Sequence, residues 1–99
     1  MTDRELLELA AKAAGYEVRS DGEGGLTIPT RRGASREWNP LTDDGDAMRL
    51  AVQLGFVVEP GKCWHSHHGP VFGEDVLMGV MAATRRAIVR AAAEIGVQM

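Results

Sequence analysis

The feature that most restricts this chain is its C-terminal stretch of alternating small, apolar and basic residues. Leu77, Val80, Met81, Thr84, Ala87, Ile88, Ala91 and Ile95 fall at helical spacing and make one broad stripe. Arg86, Arg90 and Glu94 fall on the opposite side. The spacing predicts a helix that starts near Glu74 or Asp75, runs to about Ile95 and is closed by Gly96. A helix of that kind is stable only if its stripe is covered.

Two shorter helices carry stripes of their own. Thr2 or Asp3 can cap the first, and Leu6, Leu7, Ala10, Ala13 and Ala14 follow at helical spacing before Gly15 stops it. The middle helix has Thr42 as its expected cap, acids in its first turn, and Ala47, Leu50, Ala51 and Leu54 at i, i+3, i+4 and i+7 before Gly55. Between these helices the period changes. Tyr16–Arg19 and Leu26–Ile28 alternate on either side of the Asp21–Gly25 turn and read as a β-hairpin, kept short or at an edge by Pro29. Residues 30–41 read as a loop. Phe56-Val57-Val58 reads as a short buried strand, and Lys62 to His68 as its return across Pro60-Gly61. Gly69-Pro70 opens another loop.

The expected fold is therefore α+β. A small antiparallel sheet of three to four strands is packed with three helices in a layered sandwich, in the order α-β-β-α-β-β-α. Ninety-nine residues suffice for one domain spanning 1–99. A net charge of −3 disfavours a nucleic acid as partner, and no apolar run reaches the roughly 20 residues of a membrane span. The single cysteine excludes an internal disulfide and fits a reducing cytoplasm.

The run Trp38-Asn39-Pro40-Leu41-Thr42-Asp43-Asp44-Gly45-Asp46-Ala47 carries a resemblance, together with the Glu5–Ala10 segment and the Ala82–Gly96 helix. In these segments the chain resembles the phage ABA sandwich domain family and, more remotely, NinX-type phage proteins. The resemblance implies a compact layered fold and expression in the cytoplasm of a bacterial host. It implies no activity and no site residues.

Three groups of residues could carry chemistry. Trp38, Asn39, Asp43, Asp44, Asp46 and Arg49 cluster at one helix N-terminus and make the expected contact surface of a non-enzymatic binding module for a macromolecule or a small anionic ligand. Capping and core packing of the tryptophan are the simpler account of the same residues. Cys63, His65 and His67 share one face of an extended segment, with His68 beside them, and are ligand types suited to zinc or another transition metal. Neighbours on one strand face stand about 6.5–7 Å apart, so two can chelate where three cannot easily. No cofactor is otherwise called for. Cys63 with a histidine base makes a poor nucleophile pair, because side chains on one strand do not converge. Arg85, Arg86 and Arg90, extended by Arg31, Arg32 and Arg36, are the residues an alternative nucleic-acid contact would use. The alanine-rich last helix can bury its face in a homodimer or on its own sheet.

Overall fold

The computed structural model describes residues 1–65, 69–73 and 79–99. The chain runs α1 (Asp3–Ala14), β1 (Arg19–Ser20), β2 (Leu26–Pro29), β3 (Ser35–Glu37), α2 (Asp44–Leu54), β4 (Val57–Glu59), β5 (Lys62–Trp64), β6 (Val71–Phe72) and α3 (Val80–Val97). The class is α+β with three helices, as the periodicities require. The strands form two antiparallel sheets, β1-β2-β3 and β4-β5-β6, in place of one sheet of three to four strands. The order becomes α-β-β-β-α-β-β-β-α.

The helix ends follow local chemistry. The Glu5 amide donates to the Thr2 hydroxyl at 3.2 Å, and the Thr2 amide donates back to the Glu5 carboxylate at 3.2 Å. That reciprocal box satisfies two of the donors a helix N-terminus leaves unpaired. Gly15 and Gly55 end α1 and α2 at φ 77° and 73°, a left-handed conformation that costs glycine little. The α2 cap is Asp43, not Thr42. The Asp43 carboxylate accepts the Asp46 amide at 2.8 Å, while Thr42 points its hydroxyl at the Asn39 carbonyl.

The strands depart further from expectation. β3 lies inside the stretch read as a loop, and β6 follows directly on Gly69-Pro70. Both are two or three residues long, too short for alternation to register. The hairpin's first strand shrinks to Arg19–Ser20, and Tyr16 and Val18 pack on the core ahead of it. β4 is exposed rather than buried, because half-buried Phe56 takes the core position one residue earlier. Pro29 sits at the end of the central strand β2, opposite Ser35.

α3 is the centre of the molecule and packs against α1, α2, β4, β5 and β6. The expected start at Glu74 or Asp75 falls outside the described residues, and Gly79, at φ 108°, precedes the first helical residue. Burial does not keep to one stripe. Ala83, Ala87, Ile88, Val89, Ala91, Ala92, Ala93 and Gly96 are buried, whereas Val80 and Met81 are exposed. Covering a helix from several sides requires small side chains, which explains the alanines. α1 and α3 run in the same direction, since Asp3 meets Arg86 and Lys12 meets the Met99 carbonyl. They touch backbone to backbone, and a Cβ on Gly96 would run into the Leu9 carbonyl. Leu26 and Ile28 bring the first sheet into the same core, and Cys63 and Val71 bring the second.

Candidate functional site

The Trp38–Arg49 cluster folds into a knot around one buried carboxylate. Trp38 is 1% exposed. Its ring stands edge-on to Tyr16 at 5.7 Å and its amide donates to the Leu26 carbonyl at 2.9 Å. Asn39 then turns the chain. Its side-chain oxygen accepts the Leu41 amide at 3.0 Å, and its carbonyl accepts the Thr42 and Asp43 amides at 3.1 and 2.9 Å. This turn aims the Asn39 amide at Asp46, where it donates at 3.0 Å. Arg36 from β3 and Arg49 from one turn along α2 each donate to the same carboxylate at 2.9 Å. Asp46 is 3% exposed, so three donors from three segments converge on a charge that has left water. Burial pushes its pKa up, but the Asn39 amide and the two guanidiniums outweigh burial and hold it below the usual carboxylate range.

The surrounding charges are also engaged. Asp44 accepts from Arg85 at 2.7 Å, and Arg85 Nε donates to the Leu41 carbonyl at 2.8 Å, which ties the knot to α3. Trp38 and Asp46 therefore cannot belong to a contact surface in this fold. Asp43, Asp44 and Arg49 are exposed and Asn39 is half-buried, yet each is committed to the helix entrance. The arginines of α3 are committed as well. Arg86 donates to both Asp3 oxygens, lowering the Asp3 pKa, and Arg90 donates to the Phe72 carbonyl at 3.3 Å.

The Cys63 thiol faces inward from β5. It is 0% exposed and donates to the Ala87 carbonyl at 3.2 Å. Burial, with a smaller contribution from the Glu94 charge, pushes its pKa up to about 11. At neutral pH it is a protonated thiol without access, which removes it from the expected metal set and from nucleophilic chemistry. His65 lies two residues along, its ring edge-on to Phe56 at 6.2 Å. His67 and His68 lie outside the described residues, and among the described residues no three His, Cys, Asp or Glu side chains gather as a metal site would. No helix among them is long and apolar enough to cross a membrane.

Sequence reasoning missed an apolar face made by α2, β4 and the start of α3. Met48 is 61% exposed, Val52 71%, Val58 38% and Met81 57%. Met48, Val58 and Met81 converge on a hollow of about 110 Å³, floored by Ala47, Ala51 and Ile88 and rimmed by the Asp44–Arg85 pair. Val52 continues the face one turn along α2. The signal was present in the sequence: Met48 and Val52 are i, i+4 partners off the buried Ala47, Leu50, Ala51 and Leu54 stripe.

The fold and these surfaces define a small α+β domain whose conspicuous polar motif holds the backbone together and whose open surface is partly apolar. Comparison with protein-family models, with curated proteins and with solved structures finds no match.

Proposed function

We propose that the chain is a non-enzymatic interaction module that docks a partner macromolecule on the face formed by α2, β4 and the start of α3. The observation that carries this reading is the convergence of exposed Met48, Val58 and Met81 on one apolar hollow. Single apolar side chains on a surface need no explanation, but a contiguous group with a charged rim marks an interaction site. Methionine suits such a face because its unbranched thioether adapts to the partner's shape. A role as a phage or prophage accessory protein in the cytoplasm of a bacterial host belongs to the same proposal. Its only support is the resemblance of the Glu5–Ala10, Trp38–Ala47 and Ala82–Gly96 segments.

A photo-reactive amino acid placed at Met48 or Val52 in bacteria expressing the chain tests the docking face. Irradiation is expected to give a discrete adduct from either position and none from Glu8, which is exposed on α1. An adduct of twice the 10.7 kDa chain mass identifies the partner as a second copy. Absence of a discrete adduct from both Met48 and Val52, or the same adducts from Glu8, refutes the reading.

A further inference from the structure

The first sheet has an outer face and a tip that the fold does not use. Arg19 pairs with Thr27 and Thr27 with Glu37, so the three share one row and one face. Leu26 and Ile28, the neighbours of Thr27 on β2, point the other way into the core. Pro29 and Ser35 continue the outer face toward the β2–β3 turn. The surface there is a shallow hollow of about 410 Å³, with Arg19, Ser20, Thr27 and Ser35 among its lining residues. The turn itself is closed by the Thr30 amide donating to the Ala34 carbonyl at 2.7 Å, with Gly33 at φ 78°. It lifts exposed Arg31 and Arg32 beyond the hollow.

The tip of this hairpin is basic although the net charge of the chain is −3: Leu26 to Arg36 holds three arginines and no acid, and Glu37 is the acid of the Arg19–Thr27 row on the outer face. Arg36 turns inward to Asp46. Arg19, Arg31 and Arg32 form no ion pair among the described residues.

We propose that this hairpin and its outer face bind the phosphate backbone of a nucleic-acid duplex. Guanidiniums and hydroxyls are the usual ligands of phosphate oxygens, and this face offers both side by side. A two-stranded ribbon also fits the roughly 12 Å width of a major groove. The segment Leu26–Glu37 contains no aromatic residue, so it lacks the stacking platform that single strands require. It also lacks a large apolar tip to enter a bilayer and the cluster of roughly four to eight basic residues that anionic lipid surfaces select. The surrounding negative charge makes the contact weak and confines it to low salt.

Anisotropy of a fluorescein-labelled 20-base-pair DNA duplex, titrated with the full chain between ~20 and ~200 mM NaCl, tests the proposal. Three phosphate contacts give a slope of about −2.7 for log affinity against log salt, at ~0.9 per contact. The Arg31→Ala/Arg32→Ala double variant is expected to bring the slope near about −1 and to weaken low-salt binding by roughly tenfold or more. Its circular dichroism stays unchanged, because both side chains stand in solvent. Lys62→Ala, in the second sheet, leaves the slope as it is. No binding at ~20 mM salt with on the order of 100 µM protein overturns the proposal, as does an unchanged slope in the double variant. Tighter binding to a dT20 single strand, or capture by phosphatidylserine vesicles without duplex binding, assigns the hairpin elsewhere and overturns it equally.

Discussion

Replacing Asp46 by alanine tests the central structural inference, that one buried carboxylate fastens β3, the Trp38–Asp43 turn and α2 together. In the variant the Asn39 amide loses its acceptor in a site already closed to water, which costs about 1–3 kcal/mol. The two ion pairs add less. The Arg36 and Arg49 side chains are 41% and 57% exposed, so each guanidinium recovers water and each pair contributes under about 1 kcal/mol. The expected loss is about 2–4 kcal/mol, which for a domain of this length lowers Tm by roughly 10–25 °C. Urea and thermal unfolding followed by circular dichroism measure it. Arg49→Ala, which removes one exposed partner and strands nothing, should cost under about 1 kcal/mol. An Asp46→Ala loss below about 1 kcal/mol, or an equal loss in Arg49→Ala, would refute the reasoning. The sign of the pH dependence follows from the depressed folded-state pKa of Asp46. Its contribution is fully present above the unfolded carboxylate value of about 3.9 and is lost as pH falls through the lower folded value. The stability gap between the wild type and Asp46→Asn should therefore close in acid.

Two further outcomes follow from the packing of α3. Gly96→Ala places a methyl against the Leu9 carbonyl where α1 and α3 touch, and is expected to cost on the order of 1–3 kcal/mol in urea midpoint measurements despite alanine's better helix propensity. A stabilised variant would show that the helices do not approach so closely. Cys63 should react with a thiol reagent only at the rate of unfolding, and rapid labelling of native protein would contradict its burial. Because its folded pKa is raised to about 11, the stability it contributes is complete below the unfolded thiol value of about 8.5 and disappears as pH rises through the folded value.

The sequence alone determined what depends on neighbours a few residues away. α1 and α2 were legible because caps, stop glycines and the 3.6-residue period are local, and the Gly15 and Gly55 stops stand where that chemistry puts them. The same period found α3 but not its end: Gly96, expected to close it, is buried inside the helix, which runs on to Val97 because the glycine lets α1 pack closely there. Strands of two to four residues give alternation too little length, so β3 and β6 went unseen. Tertiary structure alone decided the fate of the polar motif. Nothing in Trp38-Asn39-Pro40-Leu41-Thr42-Asp43-Asp44-Gly45-Asp46 says that Trp38 packs on Tyr16 or that Asp46 meets Arg36, because those partners lie 22 and 10 residues away and reach the motif only once the sheet and helices have closed. The same closure buried the Cys63 thiol under α3 and left Met48, Val52 and the Arg31–Arg32 tip outside. A side chain's type fixes what it can bind, but solvent access is set by the elements packed over it.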